Sequence, residues 1–143
     1  MLRTFVVVLI FIGALAVLLS HKPEQVFSRS ENGAVTIEGI SGTVRTVIIE
    51  PMEQFDVSFD KRMGEYYQLI PNPSGVTFTS EVTIQITEQW KQLLPDITEL
   101  LLYRFDTTSH TWQSIPTVVD LSSQTLHARL DFSAPTVIVV GIK

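Results

Sequence analysis

Ile97-Thr-Glu-Leu-Leu-Leu-Tyr-Arg-Phe-Asp106, Thr111-Trp-Gln-Ser-Ile-Pro116, Thr125-Leu-His-Ala-Arg-Leu-Asp131 and Phe132-Ser-Ala-Pro-Thr-Val-Ile-Val-Val140 follow one another through the last third of the chain. Each run is rich in β-branched and aromatic residues, and polar turn residues fill the gaps, a pattern that predicts an antiparallel β meander. Upstream, Phe55-Asp-Val-Ser-Phe-Asp60 alternates strictly. A strand there would put Phe55, Val57 and Phe59 on the core face and Asp56, Ser58 and Asp60 in water. Val82-Thr-Ile-Gln-Ile-Thr87 alternates in the same way.

The remaining strands are read from their turns. Val35-Thr-Ile-Glu38 and Val44-Arg-Thr-Val-Ile-Ile49 flank Gly39-Ile-Ser-Gly-Thr43, a glycine-containing turn of hairpin length. Tyr66-Tyr-Gln-Leu-Ile-Pro71 and Val76-Thr-Phe-Thr79 flank Asn72-Pro-Ser-Gly75. Glu88-Gln-Trp-Lys-Gln-Leu-Leu-Pro95 is the one helical candidate, a turn or two stopped by Pro95. The fold class expected is all-β: a single antiparallel β-sandwich, Ig-like or ZU-like, of about eight to ten short strands, preceded by one N-terminal apolar helix. Its core should join Phe55, Val57 and Phe59 to Val82, Ile84, Ile86, Leu100 and Leu102, with Trp112 as a further candidate.

The chain has 143 residues, a formal net charge of -5 and no cysteine. An acidic chain of this size lacks the basic footprint that holds a protein on phosphates, so nucleic acid is excluded as the expected partner. Disulfides, thiolate metal sites and a cysteine nucleophile are excluded together.

Phe5 to Leu19 is an apolar run without a charge, and Ser20-His-Lys-Pro-Glu-Gln25 turns polar at once. Residues 4–20 would reach roughly 25 Å as a helix, just enough to enter membrane lipid and cross it. Residues 1–22 are therefore expected to be a signal anchor or transmembrane helix, with a cleaved signal peptide and a secreted domain as the alternative. Pro23 would stop that helix, residues 23–33 would be a linker, and residues 34–143 the sandwich. A short N-terminal tail ahead of a soluble domain places that domain on the extracytoplasmic side of a single-pass membrane protein.

Certain residues carry a family resemblance. Tyr67-Gln-Leu-Ile-Pro-x-Pro-Ser-Gly75-x-Thr-Phe78, Leu101-Leu-Tyr-Arg-Phe-Asp106, Trp112 ahead of Ile115-Pro116, Val119-Asp120 and Asp131-Phe-Ser133 resemble the β-sandwich modules related to the zonula-occludens/netrin-receptor type domain, over about residues 66–140. The resemblance implies a module of protein contact in exported proteins. Some members of that group cleave themselves before a serine that follows histidine-phenylalanine, a step that would fall at Ser133 here. Asp131 stands in the histidine's place, and a carboxylate is a feeble base near neutral pH.

Other residues suggest no assembled site. His21, His110 and His127 have no metal-ligand spacing, and Asp56, Asp60 and Glu65 lack the Asp-x-Asp-x-Asp-Gly run of a calcium loop. Tyr103 and Trp112 read as a packed cross-strand pair. No catalytic, cofactor-binding or metal residue is assigned. The function expected is a membrane-anchored, non-enzymatic β-sandwich that contacts an unidentified protein. The alternative is a structural subunit of an envelope assembly, pilus-like or secretion-like, whose N-terminal helix packs against its copies.

Overall fold

The computed structural model describes residues 23–143, so the expected anchor over residues 1–22 lies outside the described residues. The chain forms ten strands: β1 (Glu24–Arg29), β2 (Val35–Ser41), β3 (Thr46–Met52), β4 (Arg62–Asn72), β5 (Phe78–Gln85), β6 (Leu100–Asp106), β7 (Thr111–Ile115), β8 (Thr117–Asp120), β9 (Thr125–Phe132) and β10 (Thr136–Ile142). They make two five-stranded sheets. The first, sheet A, runs β1-β2-β5-β9-β8, and the second, sheet B, runs β3-β4-β10-β6-β7. Every neighbouring pair is antiparallel. The helical candidate forms as α1 (Glu88–Leu93), with the Thr87 hydroxyl capping the Trp90 N–H. Among the described residues no helix is long and apolar enough to cross a membrane.

The all-β expectation therefore stands, but the connections differ from those read in the sequence. The last third is not a meander: β6 and β7 pair in sheet B, β8 and β9 pair in sheet A, and β10 returns to sheet B between β4 and β6. Nor do the segments around Gly39 to Thr43 form a hairpin, because β2 belongs to sheet A and β3 to sheet B. A short turn read from glycine and serine fixes a reversal of direction, not which sheet the next strand joins. Here the chain alternates between sheets, so that each inward apolar face meets one from the other sheet.

The shared core contains Val82, Ile84, Ile86, Leu100 and Leu102, as expected, together with Val35, Ile37, Leu69, Phe78, Leu126 and Ile138. Phe55, Val57 and Phe59 are not part of it. Residues 53–61 form no strand; they run as a strap across the outer face of sheet B. The register explains which side chains the strap meets. Leu102 opposes Ile115 facing the core, so Tyr103, Phe105 and Trp112 point the other way. Phe55 lies 5.0 Å from Phe105, 5.5 Å from Trp112 and 5.8 Å from Tyr66 between ring centroids, and Phe59 lies 4.5 Å from Tyr103. The Trp112 Nε1–H donates to the Val57 carbonyl at 3.2 Å, and the Phe59 N–H donates to the Tyr66 hydroxyl at 3.0 Å. Trp112 thus leaves the core position expected for it, and it opposes Phe105 rather than Tyr103. The strap needs room as well as rings: a Cβ on Gly141 would run into Phe59 and come within 2.9 Å of the Lys61 carbonyl.

Residues 23–33, expected as a linker, include strand β1. Its inward face is Val26 and Ser28, and polar serine hid the alternation. The Ser28 hydroxyl is buried because it accepts the Val47 N–H at 3.0 Å, tying the edge of sheet A to the edge of sheet B. At the opposite edge the Thr117 hydroxyl accepts the Leu102 N–H at 2.9 Å and donates to the Ile115 carbonyl at 2.7 Å. Ser28→Ala leaves the Val47 donor unpaired, and a urea titration should show a loss of about 1–3 kcal/mol. A loss below about 0.5 kcal/mol, the scale of an ordinary surface change, would mean that this edge is wetted rather than stitched.

The two adjacent hairpins share one turn. Asp106-Thr-Thr-Ser-His-Thr111 and Asp120-Leu-Ser-Ser-Gln-Thr125 each place the fifth residue at positive φ, His110 at 54° and Gln124 at 56°. Each opening aspartate accepts the N–H two residues on, at 2.9 Å from Thr108 and 2.8 Å from Ser122.

Candidate functional site

The two outer faces are unequal. The strap covers the aromatic part of sheet B's outer face, over Tyr66, Tyr103, Phe105 and Trp112, and leaves Ile48 on β3 exposed, whereas the outer face of sheet A carries no such cover among the described residues. Register fixes the rows of side chains on that open face. Phe27 opposes Glu38, Glu38 opposes Glu81, and Glu81 opposes Arg129, giving one row across β1, β2, β5 and β9. The next row towards the β1–β2 turn holds Arg29, Thr36, Thr83, His127 and Val118. Gln25 opposite Ile40 and Thr79 opposite Asp131 lie on the other side.

Along this face Phe27 is 58% exposed, Ile40 70% and Val118 67%. Glu38, Ile40, Thr79, Glu81 and Arg129 line an open hollow of about 660 Å³. Two carboxylates directly opposite on adjacent strands repel one another. The Glu81 Oε1 lies 3.2 Å from His127 Nδ1, whereas Glu38 and Arg129 have no ion-pair partner among the described residues. The row thus combines an apolar edge with carboxylates that can accept a cation.

His127 is held by neighbours on both ring nitrogens. Its Nδ1 lies 3.1 Å from the Thr83 hydroxyl and its Nε2 2.8 Å from the Thr125 hydroxyl. Hydroxyl, imidazole and carboxylate stand in the order a nucleophilic relay would use. Thr125, however, is only 5% exposed, and its hydroxyl is shared with Ser123. The Ser122 and Ser123 N–H groups nearby donate to the Asp120 carboxylate. The group joins β5 to β9.

The other sequence candidates are dispersed. His21 lies outside the described residues, and His110 sits in the β6–β7 turn against Phe105. Asp56 and Asp60 are exposed on the strap, while Glu65 accepts from the Asn32 amide at 3.2 Å and lies beside the Tyr67 hydroxyl. Burial pushes the Tyr67 hydroxyl's pKa up. Among the described residues no group of three or more His, Cys, Asp or Glu could hold a metal ion. Ser133 lies in the corner after β9, where its carbonyl accepts the Gly75 N–H at 2.6 Å. Asp131 occupies the outer face of sheet A on the same side of β9 as His127.

Phe27, Glu38 and Ile40 were not singled out by sequence reasoning. A signal was present: each apolar residue breaks the phase of its own strand, Phe27 beside inward Val26 and Ile40 opposite in parity to Val35 and Ile37.

The turn aspartates give a pH dependence with a definite sign. Hydrogen bonds from Ser122 and Ser123 hold the Asp120 carboxyl well below the usual carboxylate range, and those from Ser109 and Thr108 lower Asp106. A depressed folded pKa stabilises above the unfolded value of roughly 3.9, and the contribution is lost as pH falls through the folded value. Melting temperatures between pH 2 and pH 5 should therefore fall more steeply for the unaltered protein than for Asp120→Asn. Parallel curves would remove the carboxylate from the account of the turn.

No family model matches the chain, and neither a curated protein nor a solved structure matches it.

Proposed function

We propose that the chain is a membrane-anchored, non-enzymatic β-sandwich that makes protein contacts on the extracytoplasmic side, with the open face of sheet A as its contact surface. The observation that carries this reading is the asymmetry of the two faces: one sheet has its own aromatic strap over much of its outer side, while the other leaves Phe27 and Ile40 exposed beside Glu38 and Glu81. A partner surface suited to it presents an apolar side chain next to a lysine or arginine. The charge-free run from Phe5 to Leu19 supports the anchor, and the resemblance to ZU-type modules fits a role in protein contact.

Protease shaving of sealed cells that express the full chain tests the placement. Externally added protease is expected to remove residues 23–143 while a cytoplasmic marker stays intact. Full protection of the domain until the membrane is broken would overturn the placement.

A further inference from the structure

The connections at the two ends of the sandwich differ in chemistry. Strand register and hydrogen bonds gather four connections, residues 42–45, 73–77, 107–110 and 133–135, at the end where the chain enters β1. Glu24 opposes Ser41, Thr46 opposes Asn72, and Phe78 opposes Phe132. The Arg45 N–H donates to the Asn72 carbonyl at 2.9 Å, and the Gly75 N–H to the Ser133 carbonyl at 2.6 Å.

Arg45 is the one formally charged residue in those four connections, and it is paired with Glu24 at 2.8 Å. Asp106, at the foot of one of them, spends its carboxylate on its own turn, and Arg104 donates to the Asp131 carbonyl. Pro73, Val76, Ala134 and Pro135 are exposed there. The opposite end carries Glu53, Asp56 and Asp60 on the strap and Glu88, Asp96 and Glu99 between β5 and β6, an acidic excess over the Lys61, Arg62 and Lys91 beside them.

We propose that the charge-poor end of the sandwich rests on lipid headgroups, so that the domain stands upright on the membrane with its acidic end outermost. The inference rests on the anchored reading given above. If residues 4–20 enter lipid, His21 to Pro23 can span at most about 11 Å before β1 begins, so this end cannot lie far from the bilayer. Uncharged loops with exposed proline, valine and alanine tolerate the interface, whereas ionised carboxylates lose hydration on entering it. Strands of seven to eleven residues put the two ends roughly 25–35 Å apart. The open face of sheet A then stands along the membrane normal, accessible from the side.

The chain has no cysteine, so single cysteine substitutions label one site each. Full-length Val76→Cys, Ala134→Cys, Asp56→Cys and Gln92→Cys, each carrying a fluorophore, are reconstituted in phosphatidylcholine–phosphatidylglycerol vesicles with nitroxide-headgroup lipid. Labels at positions 76 and 134 are expected to be quenched at least fivefold more than labels at 56 and 92. Equal quenching in protein that floats with the vesicles overturns the upright arrangement and leaves the anchor standing. Protein that does not float with the vesicles overturns both.

Discussion

Ile84→Ala will lower the stability of the folded domain by about 2–5 kcal/mol, whereas Thr83→Ala on the neighbouring position will cost about 0.5–1 kcal/mol. Ile84 is 2% exposed in the core between the sheets, so truncation removes buried methyl groups and leaves a cavity that a two-sheet core cannot close by small shifts. Thr83 faces out, where it loses one hydrogen-bond partner at His127. Denaturant titration of residues 23–143 measures both. The fragment must begin at 23 because β1 supplies Val26 to the core and Ser28 to the edge of sheet B. Equal losses would mean that the inward face of β5 is wrongly assigned, and with it the packing of the two sheets.

Trp112→Ala should cost about 2–4 kcal/mol, below the range for a fully buried tryptophan because the ring is partly exposed. The indole meets Phe55, Phe59, Tyr66 and Phe105, and its N–H holds the strap at Val57. Its loss should therefore act first on residues 53–61. Trypsin cleavage at Lys61 and Arg62 should accelerate in the variant well before the domain unfolds, since the strap is held by side chains and not by a ladder of backbone pairs. Trp112→Phe keeps most of the ring contacts, loses the hydrogen bond, and should lie nearer 1 kcal/mol. A destabilised Trp112→Ala protein with no local gain in cleavage would place the indole in a globally cooperative core instead.

Period-two alternation made β5 and β9 legible because both have one face in the core and one in water, so Val82, Ile84, Leu126 and Leu130 announce the inward side. The same period misled at Phe55 to Phe59. A strap pinned by two aromatics four residues apart, Phe55 and Phe59, has the sequence of an amphipathic strand, and only the sheet beneath it distinguishes the two. β1 was hidden for the opposite reason: its inward Ser28 is polar and is buried only because it satisfies a backbone donor from the other sheet. Sheet membership is non-local and was not legible from the turns at Gly39 to Thr43 or after Pro116. The candidate face follows from that membership, because Glu38, Glu81 and Arg129 become neighbours only when β2, β5 and β9 pair. Their chemistry was visible in the sequence, but their row was not.

The contact surface proposed for the chain is the open face of sheet A. Site-specific photo-crosslinking of the full chain in native membranes tests it most directly, with the reactive residue at Ile40 on sheet A or at Ile48 on sheet B, and with Ile40 repeated in a Glu38→Lys background. A discrete protein adduct is predicted from position 40, reduced about tenfold or more by Glu38→Lys, a change corresponding to about 1.4 kcal/mol of lost affinity, with no equivalent adduct from position 48. An adduct from Ile48 and none from Ile40, or one at Ile40 that is indifferent to Glu38→Lys, would contradict it.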